Sequence, residues 1–230
     1  MAQQYAYVNR AIIAVCTLAF VLALPPEPFA FVPAYFFGTV ELAGPLPTWD
    51  LWRGLFGHVL IHGDAGHLLS NMLALWAFGD AVERAMGSLR YLAFFVLCAV
   101  AGALVEGALA TDRMAPLVGA SGAICGVMGA YLLLHPQAVL GMSPGPRVPA
   151  SVVVGGFLAF NVLMTLMPPA PETGLADVAW GAHLGGFAAG MALVPLLRRR
   201  GVPVWGSARL VTAAKAAVYL TLLVVLIRTM

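Results

Sequence analysis

The chain has 230 residues, of which 61% are hydrophobic and only 10% charged, and its mean hydropathy of +0.92 excludes an ordinary water-soluble domain. The formal net charge is +2 and no basic cluster is of the kind that binds nucleic acid, so nucleic acid is not expected as a partner. The apolar residues form several continuous runs that are long enough, or nearly so, to cross about 30 Å of hydrocarbon. The composition therefore predicts an all-α fold, a polytopic helical bundle in a membrane.

Six apolar runs are expected to be the transmembrane helices of one core domain, residues 1–200, because Pro, Gly or charged residues separate them. In chain order, the predicted spans are Ala11–Leu24, His67–Ala81, Leu89–Ala110, Ser121–His135, Ala150–Met167 and Val178–Leu197. Residues 201–230 are predicted to add a C-terminal transmembrane helix over Leu210–Ile227. Lys215 does not prevent this, since its long stem can reach the surface.

The connecting segments carry predictions of their own. Residues 25–57 are expected to form a long, partly apolar outer loop, with Trp49 and Trp52 as anchors at the membrane interface. The charged stretch from Asp80 to Arg90 is predicted to be a turn between the second and third spans. We expect the first span to be retained, because Pro25-Pro26-Glu27 offers no small-residue cleavage site.

The distribution of basic residues predicts the orientation. With the N-terminus inside, the outer side receives few of them, namely Arg53, Arg113 and Arg228. The inner side receives Arg10, Arg84, Arg90, Arg147, Arg198, Arg199, Arg200 and Arg209, with Lys215 nearby. The positive-inside rule therefore predicts a cytoplasmic N-terminus. In that orientation three polar residues lie toward the outer ends of their spans: His67, Ser121 and His183.

Ser121 and His183 are the candidate nucleophile and general base. Gly122 follows Ser121, and Gly186 and Gly190 follow His183 on one helical face, so the two helices can approach closely. A Ser hydroxyl becomes a nucleophile when a base takes its proton, and a neutral His suits that role. Since no Asp or Glu is placed to orient His183 within its span, a Ser–His dyad is the simplest interpretation. A Ser that serves only helix packing is the alternative.

His67 and Asn71 are candidate donors to an oxyanion, because they are four residues apart and share one helical face. The backbone N–H of Ser121, in the first turn of its helix, could be a third donor. Taken alone, His67 and Asn71 would more simply form an interhelical hydrogen bond.

The sequence supports neither a metal site nor a site built on cysteine. A metal site formed by His58, His62 and His67 would need a helix that continues through Gly63 and Gly66, and no carboxylate or Cys accompanies these residues. Neither a metal nor another cofactor is therefore predicted. The cysteines lie inside apolar spans and are expected to be small buried hydrophobes: Cys16, Cys98 and Cys125.

Together these motifs resemble those of the rhomboid family of intramembrane serine proteases, from about Leu51 to Leu197. The matching residues are Trp52-Arg53, then His62, His67 and Asn71 in HGDAGHLLSN, Glu83 and Gly87 in VERAMG, GASG at Gly119–Gly122, and AHLGG around His183 with Gly190. GxSG alone is weakly specific, whereas the ordered set on these spans is highly specific.

The resemblance implies that Ser121 is the nucleophile and His183 the base, with His67 and Asn71 assisting the Ser121 amide at the oxyanion. Supporting roles are implied for Gly119 at the entrance of the fourth span, for Glu83 at the turn between spans two and three, and for His62, Trp52 and Arg53 as structural supports.

The resemblance also implies a helical bundle around a water-filled cavity that opens to the outer side. The bacterial members with one extra C-terminal helix are the most similar in layout, so the inner membrane of a bacterium is the expected location. The expected partners are the lipid bilayer and transmembrane protein substrates whose spans unwind near the outer face.

Two alternatives differ in function class. A non-catalytic rhomboid-like binding or quality-control protein would lack the Ser or the His, and this chain has both. A small transporter would show internal repeats and polar groups near the midplane. No convincing repeat is present, and only Glu106, near the outer end of the third span, suits a transporter better.

Overall fold

A computed structural model describes residues 5–40, 47–141, 145, 147–204, 219, 223 and 226. Within these ranges the chain is mostly helical, and the strands β1 (Val139–Leu140) and β2 (Val148–Pro149) form one short antiparallel pair. The α-helices are α1 (Tyr7–Val21), α2 (Pro33–Phe36), α3 (Thr48–Gly57), α4 (Ala65–Ala74), α5 (Asp80–Met86), α6 (Ser88–Leu109), α7 (Ser121–Leu134), α8 (Ala150–Leu166) and α9 (Trp180–Leu197). Most of the predicted seventh span, Leu210–Ile227, lies outside the described residues.

The helix α7 forms the centre of the bundle. Every residue from Gly122 to Leu134 is buried, because α6, α8, α9 and the segment Leu75–Gly79 pack around this helix. Among the described helices, α6 and α9 are long and apolar enough to cross a membrane, while α1, α7 and α8 are apolar but shorter. The helix that begins with Ser121 is thus enclosed by the other helices of the bundle.

The second predicted span is longer than its apolar run indicates. A π-helical segment, Leu75–Gly79, joins α4 to α5, so helical structure runs from Ala65 to Met86. The prediction of a turn from Asp80 to Arg90 is therefore wrong. The chain reverses only at Gly87, whose φ of +90° is readily accessible to glycine.

Glu83 explains why charged residues remain helical here. Its buried carboxylate accepts hydrogen bonds from the backbone N–H groups of Val8 and Asn9, at 3.1 and 2.7 Å. It thereby satisfies free donors in the first turn of α1. It also accepts from the Ser88 hydroxyl at 2.5 Å, across the turn at Gly87. One carboxylate thus joins α1, α5 and α6.

The long loop contains more regular structure than the sequence suggests. The helices α2 and α3 lie within residues 25–57, where a long, partly apolar loop was predicted. Trp52 packs edge-on against Phe36 and stacks on Phe56, so aromatic contacts hold the two helices together. The Arg53 guanidinium binds Asp50 at 2.7 Å and donates to the Pro28 carbonyl. Composition alone does not reveal these tertiary contacts.

Candidate active site

The irregular backbone ahead of Ser121 is held by the long loop. Phe31 and Leu117 exchange backbone hydrogen bonds of 3.0 and 2.8 Å, and the Gly119 N–H donates to the His58 carbonyl at 2.8 Å. Non-helical backbone is tolerated at membrane depth only where its polar groups are satisfied. The loop therefore fixes the approach to α7, and Ser121 is the first residue of that helix.

Close contact of two glycine faces brings α7 and α9 together. A Cβ on Gly186 would overlap the Gly122 carbonyl oxygen, and one on Gly190 would overlap that of Gly126. Only glycine permits backbones to approach so closely. At the same end of the two helices, the Ser121 Oγ and the His183 Nε2 are 2.8 Å apart. The hydroxyl and the imidazole are thus within hydrogen-bond distance, as a dyad requires.

The other imidazole nitrogen of His183 contacts a residue that the sequence analysis did not single out. His183 Nδ1 lies 2.6 Å from the Asn161 Oδ1, and Asn161 is almost fully buried on α8. Two aromatic rings flank the imidazole: Phe157 at 6.1 Å and Trp180 at 5.7 Å between centroids. Three helices therefore meet at the dyad.

His67 lies against the backbone of Gly119, two residues before Ser121. Gly119 has a φ of +110°, and a Cβ there would be 2.6 Å from the His67 ring. Asn71, one turn further along α4, donates its amide to the His67 carbonyl at 2.8 Å. Both side chains line the cavity that also contains Ser121 and His183. The structure thus brings together all the residues predicted for the dyad and the oxyanion.

Glu106 is a second residue whose contact was not predicted. Its carboxylate accepts from the Ala182 N–H at 3.0 Å, across from α6 to the first turn of α9. A carboxylate is favoured at a helix N-terminus, where unpaired N–H groups carry partial positive charge. Glu106 therefore stabilises the end of the helix that carries His183, and its in-span position has a structural explanation.

The cavity around the dyad has a volume of about 970 Å³. Among the described residues that line it, none is Lys or Arg, and the acidic ones are Asp64, Glu106, Asp112 and Asp177. Within the described parts of the chain, no group of three or more His, Cys, Asp or Glu side chains could hold a metal ion. The cavity is large enough for a peptide segment and water.

Of the residues predicted to support the site, Glu83 lies at the opposite end of the bundle and His62 lies beside the site. His62 packs edge-on against His67, with 5.1 Å between ring centroids, and burial lowers the pKa of His62 to about 4. Burial likewise lowers the pKa of His58 to about 4. Asp64 accepts from the His67 N–H at 2.8 Å, and this hydrogen bond lowers the pKa of its carboxyl. Neutral imidazoles and an ionised cap are thus favoured beside α4.

A family model of the rhomboid domain matches residues 48–200, a range that includes Ser121, His183, His67, Asn71 and Asn161. The chain belongs to the rhomboid family. Membership indicates an integral membrane protein.

Three curated relatives are similar over parts of their length. Rhomboid protein 1, mitochondrial, of Saccharomyces cerevisiae is 34% identical over 143 residues, or 60% of this chain and 39% of that protein. Rhomboid protease GlpG of Enterobacter sp. is 31% identical over 153 residues, or 65% of this chain and 50% of that protein. Rhomboid protease GluP of Bacillus subtilis is 31% identical over 116 residues, or 48% of this chain and 22% of that protein. The chain thus spans half or less of each.

Proposed function

We propose that this rhomboid protein is an intramembrane serine endopeptidase that hydrolyses peptide bonds of transmembrane proteins. The observation that carries the proposal is the 2.8 Å contact between the Ser121 Oγ and the His183 Nε2, at the wall of a cavity of about 970 Å³. A hydroxyl bound to a neutral imidazole is the arrangement from which acyl transfer starts. Relatives named as proteases, GlpG and GluP, support the same assignment.

In the proposed reaction, His183 accepts the Ser121 proton as the oxygen attacks the substrate carbonyl. The resulting oxyanion would receive hydrogen bonds from the Ser121 N–H and from the His67 and Asn71 side chains. His183 then gives its proton to the leaving amine, and an acyl-enzyme remains on Ser121. The same imidazole then takes a proton from a water molecule, whose oxygen attacks the acyl carbon. The bond from that carbon to the Ser121 oxygen breaks, the imidazole returns the proton to that oxygen, and the product leaves with a new carboxyl group.

The membrane arrangement is part of the proposal. We place six helices in the bilayer, with the N-terminus in the cytoplasm and the cavity open to the outer side, because the segments predicted to lie inside carry most of the basic residues. Hydrolysis needs water, and the polar side chains in the wall of the cavity can bind it at membrane depth. The proposed substrates are spans that unwind near the outer face, and the proposed location is a bacterial inner membrane.

The decisive experiment uses the full chain purified in detergent or in vesicles, a transmembrane reporter substrate and a fluorophosphonate probe. Ser121→Ala is expected to abolish both cleavage and labelling. The matched control is Ser151→Ala, which removes an exposed hydroxyl on α8. Equal labelling of wild type and Ser121→Ala would overturn the proposed nucleophile. A wild-type protein that binds the reporter but never cleaves it would instead support the non-catalytic alternative.

A further inference from the structure

We infer that Asn161 is a positioning residue for the catalytic base: its amide oxygen holds His183 in the tautomer that can take a proton from Ser121. The inference rests on the proposed function and adds a third side chain to the dyad. It arises from the 2.6 Å contact between the Asn161 Oδ1 and the His183 Nδ1. Asn161 lies on α8, so a third helix takes part in the reaction centre.

The orientation of the Asn161 amide follows from its other contact. Its Nδ2 donates to the Phe157 carbonyl at 2.7 Å, so the opposite atom, Oδ1, faces the imidazole and must accept a hydrogen bond there. His183 therefore carries its hydrogen on Nδ1. Its Nε2 has the free lone pair, and that nitrogen lies 2.8 Å from the Ser121 Oγ. The two hydrogen bonds on Asn161 thus determine which nitrogen of His183 is the base.

Burial makes this hydrogen bond consequential. Asn161 is 1% exposed and His183 8% exposed, so little water reaches Nδ1 as a substitute acceptor. The rings of Phe157 and Trp180 flank the imidazole and provide no carbonyl or carboxylate acceptor from their side chains. Without Asn161, the Nδ1–H would be a buried unpaired donor, and the opposite tautomer would become competitive.

A neutral amide acts differently from the aspartate of a soluble serine protease. It orients the imidazole by hydrogen bonding, but it places no negative charge beside the imidazolium that forms during the reaction. It also avoids the cost of burying an ionised carboxylate in the membrane. Asn161 therefore fixes the tautomer without an added ionised group.

The test compares Asn161→Leu, which keeps the size but loses the acceptor, with Asn161→Asp, which keeps an acceptor oxygen. Asn161→Leu is expected to lower kcat and the rate of fluorophosphonate labelling on the order of 10²-fold with little change in KM, the scale of a lost acid–base contribution. Asn161→Asp is expected to restore labelling to within about tenfold of wild type. The control is Thr165→Val, which removes the buried hydroxyl one turn away that donates to the Asn161 carbonyl.

The tautomer of the His183 imidazole distinguishes a positioning role of Asn161 from a purely structural one. Nitrogen-15 spectra of histidine-labelled protein should show His183 as the Nδ1–H tautomer in wild type and in Thr165→Val, and a changed tautomer population in Asn161→Leu. Unchanged labelling or an unchanged tautomer in a folded Asn161→Leu protein would overturn the inference. If Asn161→Leu fails to fold, the inference would be overturned by a folded Asn161→Asp protein that reacts with the fluorophosphonate as slowly as Ser121→Ala does. Failure of the proposed function would give a different result, because cleavage and labelling by the wild-type protein would then not depend on Ser121.

Discussion

The carbonyl oxygen of Gly122 occupies the space that any side chain on Gly186 would need. Gly122 is the second residue of α7 and Gly186 lies one turn after His183 on α9, so this contact sets the distance between the two halves of the dyad. Because hydrogen bonds of this kind have heavy-atom distances of about 2.7–3.2 Å, a separation of the helices by a methyl group would break the hydrogen bond between Ser121 and the proposed base.

Gly186→Ala is therefore expected to impair activity more than its size suggests. The new methyl group must push α9 away from α7, which costs about 1–3 kcal/mol as overpacking and lengthens the contact between Ser121 and His183. We expect a loss of labelling by a fluorophosphonate probe of at least about tenfold, together with a lower unfolding temperature in detergent.

The matched control for this substitution is Gly155→Ala on α8, where a Cβ would meet nothing within 4 Å. It should leave labelling and the unfolding temperature close to wild type. If Gly186→Ala behaves like Gly155→Ala, the close helix contact does not set the dyad geometry.

Gly119→Ala combines two penalties at the entrance of α7. The φ of +110° is unfavourable for alanine, and the new Cβ would be 2.6 Å from the His67 ring. Since His67 is a proposed oxyanion donor, displacement of its ring should lower kcat by about 10²–10³-fold, the scale of one lost donor.

Gly201→Ala separates the two penalties, because Gly201 also has a positive φ of +85° but no neighbour within 4 Å of a new Cβ. Its variant should lose some stability and keep its activity. Equal kcat values for Gly119→Ala and Gly201→Ala would contradict a role for His67 beside Gly119.

The sequence predicts those features of the site that follow from the spacing of residues along a helix. Glycines on one face of α7 and of α9 predict close packing, and the structure has their backbones in contact. The contacts of Asn161 and Glu106 were not predicted, because each residue meets a helix distant in sequence and no local pattern marks such a pair. A polar residue inside an apolar run is the one available signal, since burial in a membrane makes it costly.

For the fold as well, contacts between segments distant in sequence were not predicted. Apolar runs locate the cores of the helices, but the stretch from Asp80 to Met86 is charged and still helical. Its helical structure depends on partners in α1: Asn9 donates to Asp80 at 2.8 Å, and Glu83 accepts from the start of that helix. Hydropathy is a property of each segment by itself, so it does not reveal these tertiary contacts.

Replacement of Glu106 should weaken the start of α9. Glu106→Leu removes the acceptor for the Ala182 N–H and is expected to cost about 1–3 kcal/mol of unfolding free energy. Glu106→Gln keeps an acceptor oxygen but loses the charge, so its cost should be smaller, about 1 kcal/mol or less. Glu172→Gln, at an exposed position, is the control. Chemical unfolding in detergent would contradict the contact if Glu106→Leu were as stable as Glu172→Gln.

Acid should destabilise the protein through its buried loop histidines. Burial lowers the pKa of His58 from an ordinary value of 6.5 to about 4. Between these two values the unfolded chain binds a proton that the folded protein does not, so stability falls as pH decreases from 6.5 and levels off below 4. The full effect of His58 is on the order of 3 kcal/mol. His62, whose pKa is also about 4, acts in the same direction.

The variant His58→Asn isolates one of these protons. An asparagine amide can donate to the Gly54 carbonyl, which faces the His58 Nδ1 at 3.3 Å, and it does not titrate in this range. Unfolding free energies measured from pH 7 to pH 4 should therefore fall less steeply for His58→Asn than for wild type, with the difference growing toward pH 4. Parallel curves for the two proteins would mean that His58 does not remain neutral when the chain is folded, because a group that titrates alike in both states contributes no pH dependence.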